Sequence, residues 1–77
     1  MKIRHLDTYR NIGLKIGYYR RKSGMTQEEL AEKINRHPVT IANIEGPNCD
    51  YILSFEIFLD IAEVLNVAPY KLLKDDE

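Results

Sequence analysis

Residues 24–46 read GMTQEELAEKINRHPVTIANIEG. Thr26 followed three positions later by Glu29 is a capping box, in which a hydroxyl and a carboxylate each satisfy a free amide at a helix start. Leu30, Ala31 and Ile34 then recur on one face, and Met25 is placed to staple against Leu30, so a helix is predicted over 26–34. Asn35, Arg36 and His37 make a short turn, and Pro38 occupies the first helical position, where proline is tolerated best. Ile41 and Ile44 are three apart and reach inward, and Gly46 with Pro47 stops the element, so a second helix is predicted over 38–45. That helix carries no charge before Glu45. It is either a short core helix with one polar side or a surface built to press against a partner.

Two helices joined by so few residues, the second short and amphipathic, form the pattern of a helix-turn-helix. Upstream, Asp7 or Thr8 is a candidate cap, Gly24 a candidate left-handed stop, and Tyr9, Ile12, Ile16 and Tyr19 supply an apolar stripe for a helix over 7–23. Gly13 and Gly17 weaken that helix by roughly 1 kcal/mol each relative to alanine. Their one-turn spacing fits a closely approaching backbone, or equally glycine tolerated on a surface. Downstream, Ser54 caps a helix over 54–65 whose Phe55, Phe58, Leu59, Ala62 and Leu65 share a face with Ile61 beside them. Asn66 is its left-handed stop. Pro69 opens a last helix over 69–74 that brings Leu72 and Leu73 to the core. The expected fold is all-α, a compact five-helix bundle forming one domain over 1–77, with residues 1–6 as an N-terminal arm and a frayed acidic end.

Composition agrees with one small folded unit: 77 residues, 44% hydrophobic and 30% charged. No apolar run is long enough for a signal peptide core or a membrane span, which points to a cytoplasmic protein. The lone Cys49 has no disulfide partner, and His5, His37 and Cys49 lack metal-ligand spacing, so neither a metal nor another cofactor is expected. The net charge of −1 conceals a gradient. Residues 1–44 hold nine basic and four acidic groups, a net of +5, and residues 45–77 hold two and eight, a net of −6. One face can meet phosphate while the other meets solvent or another subunit.

The stretches IGLKIGYYRRKSGMTQEELAEKI, TIANIEG, FLDIAEVLNV and LL, within residues 8–74, resemble the lambda-repressor-like, or XRE-type, DNA-binding domains. The resemblance implies that the third helix enters the major groove while the second spans the backbone. It places Gln27 near phosphate, Arg36 among the DNA-binding residues at the turn, and His37, Pro38, Val39, Thr40 and Asn43 on the outward side of the third helix. Asn43 can bond an adenine edge in two places, Thr40 can offer its hydroxyl to phosphate or base, and Val39 can meet a thymine methyl. It also implies a structural pair between Arg20 and Glu45 that orients the third helix. The chain departs from the family in its loop GPNCDYIL, about two residues longer than usual and without lysine or arginine, and in a third helix with no outward Arg or Gln.

The partner expected from this reading is double-stranded DNA, bound by a homodimer acting as a transcriptional regulator. The rival is an antitoxin-like or adaptor module that holds a toxin or another regulator, favoured by the acidic second half. No paired carboxylates, nucleophile-base set or phosphate loop stands at a catalytic spacing, so no enzyme activity is expected. His37 reads equally as a helix cap or a DNA contact. Tyr18 and Tyr19 read as one surface ring and one core ring. Cys49 reads as a small packed side chain, and Tyr51, Ile52, Leu53 and Phe55 offer more apolar surface than a loop needs, part for the core and part for a dimer.

Overall fold

The computed structural model of the chain describes residues 5–46 and 53–73. Five α-helices follow in order: α1 Leu6–Lys22, α2 Gln27–Lys33, α3 Pro38–Glu45, α4 Phe55–Leu65 and α5 Pro69–Leu73. The readings of Cys49, Tyr51, Ile52 and residues 1–4 of the 1–6 arm concern residues outside those described, while His5 and Leu6 of that arm form the cap position and first residue of α1.

Each helix delivers one fully buried aliphatic side chain to a common centre: Ile16, Leu30, Ile41, Ile61 and Leu72 are all 0% exposed. Burying such a side chain is worth about 1.5–3 kcal/mol, so the five together tie every helix to the others. Ile12, Ala31, Ile34, Ile44, Ile57, Phe58, Ala62 and Leu65 complete the core, with Met25, Tyr19 and Leu53 packed at its edge. α1 lies against α3, α4 and α5, and α2 lies against α3 and α4.

The helix boundaries follow from local chemistry. α1 starts one residue before Asp7, with His5 at the cap position and no side-chain capping bond. Asp7 and Thr8 are therefore inside the first turn rather than capping it; there the Asp7 carboxylate faces the positive end of the helix dipole. At the other end Gly24 takes φ +76°, and the Met25 and Gly24 amides donate to the Arg20 and Arg21 carbonyls. This doubled closure satisfies two carbonyls that the helix leaves free.

α2 opens on the capping box: the Glu29 amide donates to Thr26 Oγ1 at 3.0 Å and the Thr26 amide donates to Glu29 Oε1 at 2.8 Å. Seven residues cannot sustain a helix alone, so the cap matters. Thr26→Ala is expected to cost about 1 kcal/mol. Its check is a urea titration, in which an unchanged midpoint would deny the cap any role.

α4 is where the observed face departs from the sequence reading. Ile57, Phe58, Ile61, Ala62 and Leu65 are buried, while Phe55 is 73% and Leu59 40% exposed. Leu73 is likewise turned outward beside a buried Leu72. Ser54 Oγ accepts the Ile57 amide at 3.2 Å and Asn66 closes the helix at φ 58°. Of the two neighbouring tyrosines, Tyr19 packs at the core edge and Tyr18 stands exposed, their rings meeting edge to face at 5.0 Å. Among the described residues no helix is long and apolar enough to cross a membrane, and no group of three His, Cys, Asp or Glu could hold a metal ion.

Candidate nucleic-acid interface

The joint between α2 and α3 is a closed piece of backbone. Asn35 sits at φ 60°, its amide donates to the Glu32 carbonyl at 3.1 Å, and the Arg36 amide reaches back to the Ala31 carbonyl at 2.9 Å. This is the same doubled closure as after α1, here with asparagine accepting the left-handed conformation. Two residues later the next helix has begun. His37 Nδ1 accepts the Val39 amide at 3.1 Å and Pro38 occupies the first turn. His37 is thus the cap of α3. With its Nδ1 lone pair engaged, the neutral ring carries its proton on Nε2, an exposed donor beside the helix.

α3 keeps Ile41 and Ile44 inward and turns Val39, Ala42 and Asn43 to solvent, Val39 being 55% exposed. Val39 and Asn43 lie one turn apart on the same line, and Ala42 stands between their rows. Ala42 escaped the reading of the sequence because it carries no polar group. The signal was its position, three after Val39, and its small size lets another surface come close. Thr40 and Pro38 are half-buried at the edges of this face, and Arg36 is exposed at its N-terminal end. Gly46 leaves α3 in an extended conformation, φ −71° and ψ 137°, rather than a left-handed one. The cause lies in the next residue, since Pro47 disfavours helical backbone before it.

Behind this face sits a polar hub. Arg20 Nε donates to Glu45 Oε2 at 2.8 Å, Arg20 Nη2 to Glu45 Oε1 at 3.1 Å, and Arg20 Nη1 to the Met25 carbonyl at 2.7 Å. Gln27 Nε2 adds a fourth bond to Glu45 Oε1 at 3.1 Å. One carboxylate therefore joins the end of α3 to α1 and to the first residue of α2. The hydrogen bonds that Arg20 donates to Glu45 hold its guanidinium above its ordinary pKa, against the opposite pull of burial. A raised cationic pKa contributes stability at every pH below the ordinary arginine range, so Arg20 keeps its charge at any working pH. The resemblance placed Gln27 near phosphate. In the structure its amide nitrogen is committed to Glu45, a link that nothing in its sequence position announced.

The helix-turn-helix domain profile matches residues 13–76, most of the chain. The chain belongs to the helix-turn-helix domain family. Its five-helix arrangement is lambda-repressor-like. This helix-turn-helix domain is similar to SinR, a master regulator for biofilm formation solved in complex with DNA: 32% identity over 82% of this chain and 98% of that one, with a TM-score of 0.74. It shares its fold with a hypothetical transcription factor, NHTF from Neisseria, at a TM-score of 0.79 and 24% identity over 87% of this chain and 73% of that one. No curated protein matches it.

Proposed function

We propose that this helix-turn-helix domain is a sequence-specific DNA-binding transcriptional regulator of the XRE type, inserting α3 into the major groove as a homodimer on a two-fold site. The observation that carries this reading is the outward row Val39, Ala42 and Asn43 on a helix whose far end is anchored through Glu45. A reading head must be exposed and yet rigid, and α3 is both. The similarity to a regulator crystallised on DNA supports the same assignment.

In this arrangement Asn43 reads a base edge, Val39 meets a methyl group, and Ala42 allows the helix to sit deep in the groove. Arg36 and the His37 Nε2–H face phosphate at the start of α3, and Thr40 and Pro38 flank the contact. Gln27 orients the helix pair through Glu45. The protein is cytoplasmic in this reading and has no enzyme activity.

A selection of bound duplexes from a random pool tests the proposal. The expected result is one enriched two-fold sequence, with affinity falling steeply as salt rises. Asn43→Ala should relax preference at one base pair per half-site by about 1–3 kcal/mol and leave thermal stability unchanged, because the side chain packs against nothing in the core. A pool returned without enrichment would refute sequence-specific binding. The adaptor reading has its own support in the apolar residues exposed on α1 and α4. It would prevail if the protein co-purified with a stoichiometric, unrelated protein and ignored DNA.

A further inference from the structure

Two exposed helix faces of this chain carry the same spacing with opposite charge. On α1, Leu14 and Tyr18 are 59% and 53% exposed and one turn apart, and Lys15 and Lys22 stand one and eight positions after Leu14. On α4, Phe55 and Leu59 are exposed and one turn apart, and Glu56 and Glu63 stand one and eight positions after Phe55. We propose that these faces are the two halves of a self-association contact, the α1 face of one copy seating on the α4 face of a second copy. This inference rests on the dimer in the reading above and is independent of its DNA contacts.

Among the described residues, each apolar pair is braced from one side and leaves much of its surface uncovered. Leu14, Lys15, Tyr18 and Tyr19 line an open groove of about 390 Å³. The Lys22 ammonium lies 5.7 Å from the centre of the Tyr18 ring, which is braced edge to face by Tyr19. Phe55 is held by stacking on Phe58 at 6.2 Å, with most of its own ring left in water. Rigid aromatics presented in this way lose little entropy when covered.

The charges then decide the occupant. Lys15 and Lys22 are two turns apart, about 10.5 Å along the axis, and so are Glu56 and Glu63. Within each face the charged pair lies on the same hand of the apolar pair. Two such faces brought together antiparallel put the charged rows on the same side, so that Lys15 comes opposite Glu56 when the apolar pairs meet; in a parallel arrangement the charged rows fall on opposite sides. Arg21 on α1 and Asp60 on α4 add charge of the matching sign, whereas Asp7 at the far end of α1 is the one opposing group on that face. α1 against α1 or α4 against α4 would bring like charges together, which disfavours both.

The contact is checked by sedimentation of the whole chain with two charge reversals, Lys15→Glu with Lys22→Glu and Glu56→Lys with Glu63→Lys. All four positions lie outside the core, and circular dichroism verifies that each variant is folded. Wild type should self-associate, more weakly at high salt. Each double variant alone should associate more than about tenfold more weakly, since like charges then face each other. Mixing the two variants in equal amounts should restore association, because each supplies the face that the other lacks.

A wild type that stays monomeric up to its solubility limit overturns the proposal, as does self-association indifferent to both reversals or not restored by mixing. A monomer that instead captures a foreign acidic helical peptide through Lys15 and Lys22 also overturns it, in favour of a different occupant. Enrichment of a duplex without the charge-swap result would leave the DNA reading standing alone. The swap without enrichment would do the reverse.

Discussion

Arg20→Ala is expected to lower the unfolding free energy by about 3–5 kcal/mol, a large part of what a domain of this size possesses. The reason is the state in which the substitution leaves Glu45. That side chain is 8% exposed, and its two oxygens take three of the four hydrogen bonds of the hub. Without Arg20 only Gln27 remains, and a carboxylate held out of water with one neutral donor is costly. The Met25 carbonyl loses its 2.7 Å donor as well.

Arg20→Lys should recover only part of the loss, since an ammonium cannot span both carboxylate oxygens. Replacing both partners, Arg20→Met with Glu45→Leu, should cost much less than the sum of the two single changes, because no charge is then left unpaired. Urea midpoints for the four proteins of that cycle measure the coupling. Strict additivity would show that the pair contributes nothing as a pair. A loosened hub should also weaken DNA binding beyond what the lost stability explains, because Glu45 is the last residue of α3.

Gly13→Ala is the second large effect, and its sign opposes local propensity. Alanine is the better helix former by about 1 kcal/mol, and at an open position the exchange would stabilise α1. A Cβ at position 13, however, would fall inside the contact distance of the Ile44 carbonyl oxygen and lie 3.1 Å from its carbonyl carbon. Those atoms are backbone, so relief requires α3 to move away from α1. Overpacking of this kind costs about 1–3 kcal/mol or somewhat more, and the net result should be a destabilisation of order 2 kcal/mol after the propensity gain. Gly17→Ala is the internal control. Its new Cβ meets side chains rather than backbone, Arg21 Nη1 at 3.1 Å, which can swing away, and Glu45 Oε1 at 3.2 Å, which the hub holds, so the loss should be clearly smaller than for Gly13→Ala. A thermal midpoint for Gly13→Ala equal to or above wild type would show that the α1–α3 approach is not as close as described.

The sequence by itself determined the local architecture. The Thr26–Glu29 box, Gly24, Asn66 and Pro38 each act on backbone groups within a few residues, so their roles were legible from spacing. The inward rows of α2 and α3 were legible for a similar reason: few apolar residues at helical intervals leave one possible face. α4 offered no such constraint. Eight of its eleven residues are apolar, so several arcs could be buried, and only packing against the neighbouring helices selected Ile57 over Phe55 and Leu59.

Long-range contacts were decided by the tertiary structure for a related physical reason. Arg20 and Gln27 reach Glu45 across 25 and 18 residues, and Gly13 meets Ile44, only because α1 and α3 cross closely. Helix spacing fixes a direction around an axis; it contains no term for the distance between axes. The resemblance to a known family supplied the Arg20–Glu45 pair. The place of Gln27 in the hub, and the reason for glycine at 13 but not equally at 17, came from the coordinates of the neighbouring helix.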